Sequence, residues 1–253
     1  MQANLSADNI TVVIPAYNEA ATIADVAGRA LAQVDRVIVV DDASTDGTAS
    51  CLEGLDSTVL SNKEKQGQAG SRWRGRQYAL QSGSPAVITL DGDGQHRPEA
   101  LPQMLQKAGE YPDQIIIASR DMAHAHVPRH RRNANRVANF WIAWACGYPI
   151  LDSQSGFRLY PASLLSAIDL DVSRDMGFVF ESEILIEAAS RGVRSQSVPI
   201  EAIYAEDRRP SHFRPFTDIV LITRMVAWRL IRQGLAPMGL LRSLGVISLK
   251  SGK

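Results

Sequence analysis

Apolar residues run almost without a break through Ile10 to Pro15, Arg36 to Val40, Ala86 to Leu90 and Gln114 to Ser119. Short runs of that kind, rich in Val and Ile, predict strands covered on both faces. Between them the periodicity lengthens, and helices are predicted near 19–33, 46–54, 68–82 and 98–109. Strand alternating with helix implies parallel βαβ units in a doubly wound sheet with helices on both faces. Polar residues follow the strand ends at once: Ala16-Tyr17-Asn18-Glu19, Asp41-Asp42 and Asp91-Gly92-Asp93. Ligands bind outside the carboxyl ends of such strands, so three acidic strand ends are expected to converge on one cleft.

Beyond residue 120 the pattern changes. Asp121 to Asn135 is basic, His-rich and interrupted by Pro128, which predicts a loop entering a helix at 133–146. A Ser/Gly segment at 152–156, a helix at 180–191, a strand at 198–203 and a second basic loop at 205–215 follow. No repeat or linker is apparent, so residues 1–215 are expected to form a single domain and 216–253 a helical extension. In that extension Ile219, Val220, Ile222, Val226, Leu230 and Ile231 alternate with Arg224, Arg229 and Arg232 around Trp228. Such a helix suits a membrane interface, its arginines reaching anionic head groups. It suits equally well packing on its own domain or a homodimer contact.

The chain has 253 residues, 45% of them hydrophobic and 21% charged, an ordinary globular balance. Its 27 basic and 27 acidic residues cancel, which argues against nucleic acid as a partner. Cys51 and Cys146 form neither a CxxC nor a Cys/His cluster and are expected to be buried free thiols. The first nine residues lack an apolar signal core, and no stretch reaches the roughly 18 apolar residues of a membrane span. A cytoplasmic protein, peripheral to the membrane if it meets one, is the expectation.

Two carboxylates flanking one glycine at the end of a buried strand, Leu90-Asp91-Gly92-Asp93-Gly94-Gln95-His96, make a hard-oxygen site for Mg²⁺ or Mn²⁺. Gly92 and Gly94 let the backbone approach a ligand closely. In Asp41-Asp42-Ala43-Ser44-Thr45-Asp46-Gly47-Thr48, Ser44 or Asp46 can cap the next helix. Capping needs one such residue, leaving Asp42 to accept a hydrogen bond from a nucleobase N–H. His124, His126 and His130 lack a ligand spacing, and Trp141 and Trp144 read as packing on an amphipathic helix or as the lining of an apolar acceptor channel.

Four motifs in order, Pro15-Ala16-Tyr17-Asn18-Glu19, Val40 to Thr48, Asp91 to His96 and Asp152-Ser153-Gln154-Ser155-Gly156-Phe157-Arg158, resemble glycosyltransferase family 2, in particular its polyprenyl-phosphate, dolichol-phosphate mannosyltransferase-like branch. The resemblance implies a GT-A fold, a nucleotide-sugar donor (UDP- or GDP-linked), a divalent metal and inversion at the anomeric carbon. It places Pro15, Tyr17, Glu19 and Asp42 in the nucleotide pocket, Asp91 and Gly92 beside the ribose or metal, and Asp93 and Gln95 on the metal. Arg131 falls where the family places an arginine near the donor phosphates or the acceptor, with Asp93 and Arg131 serving catalysis; Arg120 and Arg132, from the same basic segment, are further candidates for the phosphate charge. His212 stands where relatives often carry Lys, a departure that makes its charge pH-dependent. Arg158 is expected to contact the acceptor or to pair with Asp152.

A metal with nearby arginines stabilises the negative charge that develops on a departing nucleoside diphosphate. The acceptor decides whether a base is needed: a glycan hydroxyl must lose a proton, whereas a lipid phosphate is already ionised. Glu181 lies where hydroxyl-using relatives place a catalytic carboxylate, so it keeps the hydroxyl acceptor open. The rival from another class is a non-catalytic nucleotide-sugar-binding scaffold subunit. A cluster of like charges costs energy to keep without use, which counts against it. A sugar-1-phosphate nucleotidyltransferase would want a Gly-rich phosphate loop after the first strand, where Ala16 to Glu19 stand instead.

Overall fold

Seven strands form a single sheet in the order β3-β2-β1-β4-β6-β5-β7. They are β1 (Thr11–Ala16), β2 (Val37–Asp41), β3 (Thr58–Ser61), β4 (Ala86–Thr89), β5 (Ile115–Arg120), β6 (Arg158–Pro161) and β7 (Ser195–Ile200). The helices are α1 (Ile23–Leu31), α2 (Gly67–Gln81), α3 (Leu101–Glu110), α4 (Arg129–Cys146), α5 (Ala162–Ala167), α6 (Gly177–Ser190), α7 (Pro215–Arg232) and α8 (Pro237–Ser243). The structure, a computed structural model, describes residues 5–120, 129–169, 177–201, 215–232 and 234–247, with the backbone alone at 129–131, 177–178 and 215–219.

Strands β1, β2, β4 and β5 are buried along nearly their whole length, as their unbroken Val/Ile runs require. Pairing is parallel except at β6, which runs antiparallel between β4 and β5. The sheet is thus mostly parallel, and the order reverses at β1, where β2 and β4 leave to opposite sides. That switch point places the ends of β1, β2 and β4 around one crevice.

One apolar layer joins α1 and α3 to the sheet through Ile23, Val26, Leu101 and Met104. The other joins α2, α4, α6 and α7 through Ala69, Ile142, Phe180, Ile184, Ile222, Val226 and Leu230. Three buried residues at i, i+4 and i+8 therefore seat α7 against the domain. Gly75 lets α2 lie close to the sheet: a Cβ there would collide with Val13 and stand 3.0 Å from Val40 Cγ2.

Several elements differ from the sequence expectation. The stretch at 46–54 is a short 3-10 turn at Ser50–Leu52, because Gly47 takes a positive φ of 84° and the Asp46 carboxylate binds the Thr48 N–H at 3.0 Å. β3 and β6 escape the apolar pattern, the first being a mostly exposed edge strand with only Val59 and Leu60 between Thr58 and Ser61, and the second four residues beginning with arginine. α4 starts at Arg129 inside the expected loop. Both cysteines are free, and neither is fully buried: Cys51 is exposed and Cys146 half-buried. Trp141 and Trp144 stack at 5.5 Å, and Trp144 Nε1 donates to the Leu235 carbonyl at 3.1 Å, which is packing. Among the described residues no helix is long and apolar enough to cross a membrane.

Candidate active site

The turns after β1 and β2 are laced together. Asn18 N donates to Ser44 Oγ at 2.9 Å, and Asn18 Oδ1 accepts from Thr45 N at 2.9 Å. Glu19 N donates to Thr48 Oγ1 at 2.9 Å and Ala20 N to Asp46 Oδ2 at 3.1 Å. Two non-glycine residues at the centre of this lacing, Asn18 and Ala43, hold positive φ angles of 55° and 60°. Backbone in that region costs free energy and persists where surroundings over-determine it. The wall so built carries Pro15, buried in β1, and the half-buried Tyr17 and Glu19. Lys65 Nζ sits 3.5 Å from the Tyr17 ring centroid, a cation over an aromatic face.

The two adjacent aspartates do different work. Asp42 Oδ1 accepts from Asn62 Nδ2 and Gln66 N, both at 2.7 Å, and Oδ2 accepts from Gly67 N at 2.8 Å. Its carboxylate thus satisfies N–H groups at the start of α2, with the favourable helix dipole adding to the cap. Capping did explain the second aspartate, but through a helix far along the chain, which sequence proximity hid. Asp41 engages one oxygen, accepting from Ser44 N at 3.3 Å.

At the end of β4, Gly92 is buried, and a Cβ there would lie 3.2 Å from the Pro15 carbonyl oxygen. Its own carbonyl accepts from Thr22 Oγ1 at 2.8 Å, and Asp93 Oδ1 accepts from Gln95 N at 2.9 Å. These contacts fold Asp91, Asp93 and Gln95 into one tight turn at the crevice. Among the described residues no group of three His, Cys, Asp or Glu side chains could hold a metal alone. Two carboxylates and an amide oxygen still fit Mg²⁺ or Mn²⁺, which take the rest of their ligands from water and phosphate. His96 is 4% exposed, packs 5.7 Å from the Phe157 ring, and has Nε2 4.0 Å from Asp91 Oδ2. Burial pushes its imidazole down to about 4, against the pull of Asp91, so it is neutral near neutrality.

Behind this turn lies a buried ionic cluster. Arg72, Arg76 and Arg158 are all 0% exposed, yet they share two carboxylates. Glu181 Oε1 accepts from Arg76 Nη2 at 2.7 Å and from Arg72 Nη1 at 3.5 Å. Its Oε2 lies 3.5 Å from Arg158 Nη1 and accepts from the Tyr160 hydroxyl. Arg72 Nη2 donates to Asp91 Oδ1, and Gln68 Nε2 stands 3.4 Å from the same oxygen. Burial alone would raise the Glu181 pKa, but Arg76, Arg72, Arg158 and the Tyr160 hydrogen bond hold it down to about 2. Burial also opposes ionisation of Asp91, and the Arg72 charge, helped by His96, outweighs it and keeps the carboxyl below its ordinary value.

Asp152, fully buried, takes Arg120 in a fork, from Nε at 2.8 Å and Nη2 at 2.9 Å, and accepts from Asn135 Nδ2 at 3.2 Å. Burial works against its charge, and Arg120 reverses that and lowers its pKa. Arg158 is therefore not the partner of Asp152. It donates to the carbonyls of Ser153 at 2.6 Å, Ser155 at 2.7 Å and Glu181 at 2.8 Å, clamping the 152–156 turn onto α6. His212 and the side chain of Arg131 lie outside the described residues.

Sequence reasoning missed Arg72 and Arg76. Their signal was spacing: Ala69, Arg72, Arg76 and Ala79 follow a helical period, so two arginines sit on the small-residue face of α2 that meets the sheet.

A family model described as glycosyl transferase family 2 matches residues 11–168. An undecaprenyl-phosphate mannosyltransferase of Micrococcus luteus is 30% identical over 208 residues, 78% of this chain and 84% of that protein. A polyprenol monophosphomannose synthase of Mycolicibacterium smegmatis is 30% identical over 201 residues, 75% of each. The fold is shared with glucosyl-3-phosphoglycerate synthase of Mycobacterium tuberculosis, solved with Mn²⁺, uridine diphosphate and glucosyl-3-phosphoglycerate. That likeness has a TM-score of 0.62 at 21% identity and covers 89% of this chain and 79% of that one.

Proposed function

The chain belongs to glycosyl transferase family 2, and from that premise we propose that it moves a sugar from a nucleoside diphosphate to a polyprenyl phosphate, inverting the anomeric carbon. The premise alone makes it a transferase with the GT-A architecture. The observation that carries the choice of acceptor is the state of Glu181. A general base must reach the acceptor proton and be ready to take it. This carboxylate is 2% exposed, bonded to Arg76, Arg72 and Tyr160, and held at about 2. A lipid phosphate brings its own ionised oxygen and needs no proton removed. The names of the mannosyltransferase and synthase relatives agree with this choice.

In the proposed reaction a phosphate oxygen of the lipid attacks the anomeric carbon from the face opposite the diphosphate. The bond from that carbon to the diphosphate oxygen breaks, and its electron pair leaves with the nucleoside diphosphate. Tyr17, Pro15, Glu19 and Asp41 form the nucleotide wall, Asp41 replacing Asp42 as reader of the base because Asp42 is spent on α2. Asp91, Asp93 and Gln95 would hold Mg²⁺ or Mn²⁺, which supplies charge neutralisation at the diphosphate. Arg120, oriented by Asp152, stands at the same sheet edge, and Arg131 and His212 complete the proposed phosphate contacts.

The outer face of the C-terminal helices fits a membrane surface. Val220, Arg224, Trp228, Ile231 and Arg232 are exposed along α7, Phe140 and Val137 on α4, and Met238 on α8. An exposed row of apolar residues interleaved with arginines favours an anionic lipid interface, where the acceptor would be found.

The test offers UDP- and GDP-linked sugars with undecaprenyl phosphate, undecaprenol or a glycan, each with Mn²⁺ and with EDTA. Metal-dependent transfer to the lipid phosphate is expected. Transfer to a hydroxyl acceptor in its place, or to no acceptor from any donor, refutes the proposal.

A further inference from the structure

Three guanidinium groups with no solvent exposure, sharing two carboxylates, are an expensive arrangement for packing alone. Hydrophobic residues of the same volume fill a core at less cost, so the placement of the charges calls for a reason. Arg76 and Arg158 account for holding Glu181: one donates to its carboxylate at 2.7 Å, the other to its main-chain carbonyl at 2.8 Å. Arg72 differs from both. It reaches Glu181 with Nη1 and turns Nη2 outward to Asp91, the residue at the crevice end of β4. Gly156 keeps the space for this pair, since a Cβ there would strike the Asp91 carboxylate and lie 2.7 Å from Arg72 Nη2. His96 flanks the other carboxylate oxygen at 4.0 Å. Asp91 is thus gripped from behind while its side chain keeps 18% of its exposure.

We propose that Arg72 is a positioning residue of the donor site: bridging Glu181 and Asp91, it fixes the Asp91 carboxylate for metal-dependent binding of the nucleoside diphosphate, and Glu181 acts through it. The inference rests on the functional reading above. Its physical basis is preorganisation. An unanchored Asp91 beside Asp93 would turn away from a second negative charge, and binding would have to restore its orientation. The guanidinium is a rigid fork that can serve two carboxylates at once, whereas a lysine ammonium on a flexible stem cannot span them in the same geometry. The cluster carries one more positive than negative charge, so the Asp91 carboxylate stays ionised where it meets the crevice.

The test measures Mn²⁺-dependent UDP and GDP binding by calorimetry, beside thermal unfolding, in wild type, Arg72→Lys, Asp91→Asn and the double variant. Val226→Ala, buried on α7, serves as a destabilised control. Arg72→Lys is expected to weaken metal-dependent affinity about tenfold or more, the scale of one charged hydrogen bond. The double variant is expected to bind no more weakly than Asp91→Asn, because an effect exerted through Asp91 vanishes when Asp91 is altered. Val226→Ala should lose stability and keep its affinity. Equal weakening in the control, or a lysine effect undiminished in the Asp91→Asn background, overturns the inference. Should Arg72→Lys fail to fold, Arg72→Met with Asp91→Asn, which removes the ion pair whole, is compared with Asp91→Asn alone. Matching affinities support the inference and further loss overturns it. A wild type that binds neither nucleotide with Mn²⁺ overturns the functional reading and the inference together, and only the variants can fail the inference by itself.

Discussion

Replacing Glu181 by Gln deletes one negative charge from the buried cluster while keeping its shape. The cost follows from two routes. The carboxyl sits at about 2 in the folded protein against an ordinary 4.5, a difference worth about 3 kcal/mol. Breaking a buried ion pair by removing one partner costs about 3–5 kcal/mol by mutational precedent. For a chain of this size each kcal/mol lowers the melting temperature by about 2–4 °C, so a fall of about 6–12 °C is expected for the lower figure. The sign with pH is also set. Because the folded pKa lies below the unfolded one, the ionised Glu181 stabilises fully above pH 4.5 and loses that contribution as pH falls toward 2. The gap between wild type and variant should therefore be constant near neutrality and close in acid. Calorimetry or urea unfolding across that range reads it. A variant melting within about 2 °C of wild type at pH 7 refutes the energetic argument. Unchanged stability and unchanged metal-dependent nucleotide affinity with kcat reduced about a hundredfold or more is the signature of a lost general base, and it would refute the phosphate acceptor as well.

Asp42→Ala should lower stability by about 1–2 kcal/mol by uncapping α2, while Asp41→Ala should weaken nucleotide binding at nearly unchanged stability; urea unfolding and calorimetry of both variants decide, and the reverse outcome returns base reading to Asp42. Gly75→Ala forces a methyl against Val13 and toward Val40 and should cost about 1–3 kcal/mol in denaturant unfolding. Trp228→Glu on the exposed stripe of α7 should abolish co-sedimentation with anionic vesicles without shifting the melting temperature. Unaltered sedimentation, or a wild type that self-associates and ignores vesicles, contradicts the membrane face.

The alternation of Val/Ile runs with helical periods determined strands β1, β2, β4 and β5, because buried parallel strands tolerate few polar residues and advertise themselves. The acidic strand ends were legible for the same reason: Asp91 and Asp93 break an apolar run where nothing in a core asks for charge. What escaped the sequence lay in partners far apart along the chain. Asp42 reads as a spare carboxylate until α2 folds back to place the Gln66 and Gly67 N–H groups on it. Glu181 reads as a base until Arg76, Arg72 and Arg158 arrive from α2 and β6 to surround it. β3 and β6 draw their pairing from neighbouring strands rather than from their own four residues. Local chemistry sets which residues can carry charge to the crevice. Only the tertiary structure decides which of those charges is neutralised from behind, since the energy of a buried ion depends on its surroundings and not on its place in the chain.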